Sequence, residues 1–302
     1  LFDLALTKLD AIFKNIPIDN IVNLNEAEVL VNSLIEGILE NNQTLTALTS
    51  LKKFNNYTCR HSINVTILSL LLAIELGLTD NELLTIGTGA LLHDIGKLKI
   101  PIEIIDKKSS LTSAEWALVK NHPIKGFDII CDLPGLDRMI PVIAYEHHLG
   151  FDLSGYPATK RIEKPHLFSR LVQIADAYDG ATAHRSYHNA ASPSIVLASM
   201  YKKSGSLFDP TLLRLFIKTI GLYPIGSLVR LSNGQVGIVA ETNTDDISCP
   251  RVKIIADQGG LKSSDYLLDT VNGNHSKGPS ILGFADPEIY KINDDYSLLK
   301  VI

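Results

Sequence analysis

Cysteine is scarce in this sequence: Cys59, Cys131 and Cys249 are the three among 302 residues, and none sits at a paired spacing. That excludes a disulfide framework and a thiolate zinc site, and it points to a reducing compartment, the cytoplasm. A surplus of basic charge is missing too. Lysine and arginine number 28 against 33 acidic residues, a net charge of −5, so no broad positive field draws the chain to long nucleic acid. No apolar run reaches membrane length. The longest, Val65 to Leu78, is interrupted by Ser69 and Glu75 and is too short to cross a bilayer. Repeats and low-complexity tracts are absent as well. The chain opens on Leu1 rather than a methionine, which leaves room for a preceding segment.

What the sequence does have is a packed, mostly helical texture. Apolar residues make up 45% and charged residues 20%, as in ordinary globular proteins. The length suits one large domain and a smaller one, at about 100–200 residues per domain. Over residues 1–56, Leu30, Leu34, Ile35 and Leu39 recur at helical spacing and predict N-terminal helices. Residues 57–222 continue the helical signal. Thr79-Asp80 ahead of Glu82, and Thr112 ahead of Glu115, read as capped helix starts. Pro101, Pro123, Pro134 and Pro141 punctuate the helices, and Gly150 to Pro165 reads as a loop. From residue 223 to 302 the texture turns β-rich. Ser227–Leu231 and Val236–Ala240 flank Ser232-Asn233-Gly234 as a hairpin with an Asn-Gly turn, and Arg251–Ile255 is a further strand. The expected fold is mainly α, a helical bundle with N-terminal helices and a small C-terminal β-rich subdomain.

Histidine and aspartate carry the chemistry. His61, His93-Asp94, His122 and His147-His148, with Asp176 downstream, offer imidazole and carboxylate donors in predicted helices. Such donors suit first-row metal ions, and a carboxylate can bridge two of them. Neighbouring helix residues diverge by about 100°, so a His-Asp or His-His pair can address two ions. Two ions about 3.5–4 Å apart can activate a hydroxide between them and neutralise a phosphoryl group. Each position has a plainer reading alone: one His-Asp dipeptide is weak, His61 heads an apolar stripe through Val65, Leu68 and Leu72, and His122 precedes Pro123 as a helix cap would. Paired imidazoles at His147-His148 are harder to dismiss, while His166 in its polar stretch reads as surface.

Taken in order, the motifs resemble those of HD-GYP phosphodiesterases, in the HD-domain metal-dependent phosphohydrolase superfamily. The resemblance rests on Leu91-Leu92, His93-Asp94-Ile95-Gly96-Lys97, Ile100-Pro101, His147-His148, Gly155-Tyr156-Pro157, Ile174 to Asp179 and Arg185-Ser186-Tyr187. It covers roughly residues 51–220, and the β-rich segment resembles an appendage often found after this domain. It implies hydrolysis of cyclic di-GMP, a bacterial second messenger, at a binuclear centre with a bridging hydroxide. The implied ligands are His61, His93, Asp94, His122, His147, His148 and Asp176, with Asp94 bridging. Lys97, one helical turn from His93, would stabilise the phosphate or protonate the leaving oxygen, and Arg185 would grip phosphate. Tyr156, in the loop with Gly155 and Pro157, would pack against the bundle or contact substrate. Asp179 would orient a ligand from behind. Iron is the foremost metal, with manganese, nickel and zinc also suited to the donors.

Four departures from the family pattern stand out. Asn55-Asn56 lie where three-metal members carry an acid, which implies two ions here. Leu149 replaces a glutamate after the paired histidines. Leu153 and Thr159-Lys160-Arg161 alter the loop, and His188 stands where a basic residue is common. These departures keep an alternative open: a degenerate HD-GYP protein that binds a nucleotide or a partner protein as a signalling module without turnover. A phosphohydrolase for another phosphate ester is a third reading. Protein signalling partners, and a homodimer through the N-terminal helices, are further expectations.

Overall fold

The structure is a computed structural model that describes residues 2–19, 24–49, 57–107, 109–159, 162–182, 192–243, 245–257, 260–261, 267–271 and 278–285. Its helices are α1 (Phe2–Asp19), α2 (Leu24–Thr49), α3 (Tyr57–Glu75), α4 (Asp80–Leu92), α5 (Ile102–Ile105), α6 (Ser113–Val119), α7 (His122–Cys131), α8 (Met139–Glu146), α9 (Leu167–Thr182), α10 (Pro193–Lys202) and α11 (Pro210–Ile220), with a 3-10 turn at Ile95–Lys99. The centre of the bundle is α3, buried on every side from Arg60 to Ala73. An α-helix apolar all round belongs in a core, which accounts for the long apolar run. One of its small polar residues, Thr66, is satisfied within the helix by donating its hydroxyl to the Ser62 carbonyl one turn back at 2.7 Å. Around α3, the side chains of Leu9, Leu30, Leu34, Ile86, Leu91, Leu171 and Phe216 join one continuous core, so α1 and α2 pack on the same bundle.

Both predicted helix starts are present. The Glu82 carboxylate accepts from the Thr79 backbone N–H at 2.8 Å, and that of Glu115 accepts from Thr112 N–H at 2.7 Å. In α2, Leu30, Leu34 and Ile35 are buried, but Leu39 is 63% exposed. Nine residues at 100° each put Leu39 on the side of the helix opposite Leu30; Ile38 takes the buried place instead.

After α11 the chain builds an antiparallel sheet from β1 (Leu228–Leu231), β2 (Val236–Glu241), β3 (Arg251–Asp257), β4 (Gly260–Leu261), β5 (Leu267–Asp269) and β6 (Ile281–Phe284). The order is β4-β3-β2-β1-β6, and β5 also pairs with β3. The predicted hairpin is in register, with Leu228 opposite Ile238 and Arg230 opposite Val236. Its loop is Ser232-Asn233-Gly234: Leu231 N–H donates to Gln235 O at 2.9 Å, and Gly234 takes φ 84°. Period-two alternation gives the sheet two buried clusters, one with Leu228, Val236 and Ile238, the other with Val229, Leu231 and Val239. Among the described residues, no helix is long and apolar enough to cross a membrane.

Candidate metal centre

Three histidines reach the centre by one local device. The last carbonyls of a helix have no partner within it. His93 follows the end of α4 and its Nδ1 lies 2.6 Å from Ala90 O. His147 follows α8, with Nδ1 2.8 Å from Ala144 O, and His122 follows α6, with Nδ1 2.8 Å from Val119 O. A carbonyl only accepts, so each Nδ1 carries the hydrogen and each Nε2 presents a lone pair. Each ring thereby caps its helix and aims a donor atom inward. The C-terminal ends of α4 and α8 converge with them, a setting that favours a cation, while His122 is also the first residue of α7. The His-Asp and His-His pairs therefore sit just beyond helix ends, where free carbonyls exist to fix the rings, rather than inside helices.

Two carboxylates span the gathered rings. Asp94 Oδ2 lies 3.4 Å from His93 Nε2 and 3.7 Å from His61 Nε2. Its Oδ1 lies 3.2 Å from His122 Nε2 and 4.0 Å from His147 Nε2. Asp176, on α9, repeats the arrangement: Oδ1 is 3.1 Å from His61 Nε2, and Oδ2 is 3.6 Å from His148 Nδ1. The donors thus fall into two compact groups, His61, His93 and Asp94 on one side and His122, His147 and His148 on the other. All six except His148 are buried.

His61 comes from α3 and is held from behind. Its Nδ1 contacts Asp179 Oδ2 at 2.7 Å, and Asn64 donates to Asp179 Oδ1 at 2.8 Å. Asp179, expected to stand behind a ligand, contacts the far nitrogen of the His61 ring. Asn64 was not anticipated; its position one turn from His61 on α3 is the signal that could have found it. Lys97 does not continue α4 over His93. The helix ends at Leu92, and in the following 3-10 turn, where residues three apart eclipse, its ammonium pairs with Asp94 Oδ2.

Beside His148 lies the loop of Gly155, Tyr156 and Pro157. Tyr156 has its ring centroid 4.6 Å from that of His148. Gly155 adopts φ 97°, and a Cβ there would stand 2.2 Å from His148 O, so only glycine lets the loop close on the centre. Leu153, one of the departures in that loop, adopts φ 65°. Leu149 is buried, and its carbonyl accepts from Gln173 Nε2 at 2.6 Å. His166 is exposed, as predicted. Arg185, Ser186, Tyr187, His188, Asn55, Asn56, Lys160 and Arg161 lie outside the described residues.

Most of the protonation states suit metal binding: two imidazoles are held neutral and both carboxylates ionised, while His61 must give up a proton to a cation. Burial, followed by the neighbouring imidazoles, keeps His147 well below its ordinary range, and burial pushes His148 down to about 4. Burial works against ionised Asp94, but Lys97 and His93 outweigh it and hold the carboxyl well below the usual range. Asp176 is likewise lowered: the hydrogen bond from His61 overcomes burial. Burial lowers His61, yet its hydrogen bonds to Asp176 and Asp179 prevail and raise it to about 10. Divalent cations fit these donors. His122 Nε2 and His147 Nε2 face each other at 3.1 Å, although both rings have placed their hydrogen on Nδ1. Two lone pairs at that distance repel unless a cation lies against them. His93 Nε2 and Asp94 Oδ1 are buried without a hydrogen-bond partner, a costly state that a bound cation removes.

Fold and site together define a helical protein whose buried His/Asp centre is built for divalent cations. The HD domain family matches residues 34–212, and the chain belongs to that family, among the metal-dependent HD-GYP phosphodiesterases. It is 32% identical over 285 residues to a cyclic di-GMP phosphodiesterase of Pseudomonas aeruginosa, covering 94% of this chain and 68% of that protein. It is 27% identical over 249 residues to the cyclic di-GMP phosphodiesterase PdeB of Borreliella burgdorferi, covering 82% and 65%. The chain thus spans about two thirds of the length of each. An HDG"Y"P protein of Bdellovibrio bacteriovorus has the same fold, with a TM-score of 0.59 at 20% identity, over 71% of this chain and 68% of that one.

Proposed function

We propose that this chain hydrolyses cyclic dinucleotides, cyclic di-GMP foremost, at a binuclear centre. One observation carries the reading: Asp94 turns Oδ2 to His61 and His93 and Oδ1 to His122 and His147. A carboxylate so disposed can bridge two ions, and Asp176 spans the same two groups. When bound, the ions, iron foremost, would supply Lewis acidity and activate a water for attack on a phosphate ester. His61, His93, Asp94, His122, His147, His148 and Asp176 hold them, and Asp179 fixes the ring of His61. Lys97, with 29% of its side chain exposed beside Asp94, offers its ammonium to a phosphate oxygen or protonates the leaving oxygen. Tyr156 flanks the substrate; its hydroxyl stays protonated because burial and the two aspartates raise it. Arg185 keeps its expected part in gripping phosphate. The relatives named as cyclic di-GMP phosphodiesterases support the choice of substrate.

The same reading divides the chain into N-terminal helices (1–56), a catalytic bundle (57–222) and a β-rich domain (223–302). It assigns the protein to the cytoplasm, in keeping with three free cysteines. A second copy could pair through α1 and α2, where Leu4, Val29 and Leu39 stand exposed; light scattering tests this.

The test of function is chromatography of cyclic di-GMP incubated with reduced, iron- or manganese-loaded protein, beside an elemental count of bound ions. Linear dinucleotide or GMP is expected, with two ions per chain. Absence of turnover with metal present sinks the hydrolytic reading. The strained Leu153 and buried Leu149 favour the signalling-module alternative, which predicts calorimetric binding of the nucleotide without hydrolysis.

A further inference from the structure

Trp116 is the single tryptophan of the chain, and it stands 47% exposed on α6. Lys120, one turn on, carries its ammonium 5.8 Å from the centroid of that indole and 5.7 Å from the centroid of the Tyr156 ring. A lysine beside a tryptophan four residues away is common on helix surfaces. Helix geometry does not account for the second contact, because Tyr156 arrives from the loop beyond α8 and lies against His148. Aromatic, cation and aromatic therefore run outward in sequence from a candidate metal ligand. Glu115, the acid next to Trp116, is tied to Lys107 at 2.6 and 2.7 Å, so it leaves Lys120 free to face an anion.

We propose that Trp116 is the face on which one purine base of the substrate stacks, with Lys120 beside it neutralising the phosphate that is not being cleaved. The proposal rests on the cyclic dinucleotide reading given above. With one phosphate held at the cations, the bases and the second phosphate project outward past Tyr156. Stacking needs a flat aromatic surface open on one side, and an indole is the largest available. An ammonium at its edge adds attraction for the anionic backbone and for the π-face.

The experiment uses the metal-loaded chain and cyclic di-GMP. Because Trp116 is the single indole, its selectively excited emission reports directly on stacking. Saturable quenching by cyclic di-GMP is expected, and none by inorganic phosphate, which has no base. Trp116→Ala should raise KM about ten- to a hundredfold, while Trp116→Phe recovers most of that loss; ion content and helicity equal to the parent's exclude misfolding. Turnover with unchanged emission and an unchanged KM in Trp116→Ala overturns the stacking face and leaves the function standing. Quenching in the parent, with calorimetric affinity for cyclic di-GMP lowered in Trp116→Ala and turnover in neither, upholds the stacking face and overturns hydrolysis. Neither binding nor turnover overturns both.

Discussion

Replacing Gly96 with alanine tests the packing that assembles the centre. Gly96 lies buried in the 3-10 turn after His93-Asp94 and does not use the left-handed φ that favours glycine, so the effect is steric. A Cβ there would stand 1.9 Å from His122 O and 2.5 Å from Gly126 N, both backbone atoms. Real Cβ contacts essentially never fall below 3.0 Å, so the start of α7 has to retreat by roughly 1 Å, well past the tolerance of about 0.2 Å for a metal ligand. His122 would lose its place beside Asp94 Oδ1. Overpacking of this kind costs about 1–3 kcal/mol or more, which lowers the melting temperature by roughly 2–4 °C for each kcal/mol. Gly126→Ala is the contrasting case. Its Cβ would meet nothing nearer than 3.4 Å, and alanine favours helix by up to about 1 kcal/mol. Elemental analysis and thermal melts of both variants decide the matter. Gly96→Ala should lose at least the ion of the His122 group and most activity, and Gly126→Ala should keep both. A Gly96→Ala protein with two ions and parental turnover would refute the reasoning.

Other outcomes follow from the same geometry. Asp94→Asn leaves both donor groups without their shared anion; ion content should fall at both and activity by about a hundredfold or more, read by elemental analysis and nucleotide turnover. Asp179→Ala strips His61 Nδ1 and Asn64 Nδ2 of their acceptor, and metal affinity should weaken about 10- to 100-fold in competition with a chelator. His61, raised to about 10, holds a proton in the metal-free protein at every pH below that value. Metal has to displace it, so affinity should rise about tenfold per pH unit up to that range. Calorimetry in buffers of differing ionisation enthalpy should detect the released proton, and a pH-independent affinity counts against the assignment.

Local signals in the chain were enough to find much of this protein. Capping boxes at Thr79 and Thr112, the hairpin around Asn233-Gly234 and the switch to β texture depend on neighbouring residues alone, and all are present. The candidate donors were named from the resemblance that the His93-Asp94 and His147-His148 motifs carry together, since a His-Asp pair alone has a plainer reading. Tertiary structure decided the rest. The spacing of Leu30, Leu34, Ile35 and Leu39 predicted a helix but did not record its rotation, and Leu39 faces out. Asn64 went unnoticed, since its partner Asp179 lies over a hundred residues away. Lys97 turned to Asp94 because α4 stops at Leu92. Above all, no sequence pattern states that three helix ends and two aspartates from distant stretches meet at one buried point. That convergence is set by the packing of α3, α4, α6, α8 and α9, and only packing fixes which oxygen of Asp94 faces which imidazole.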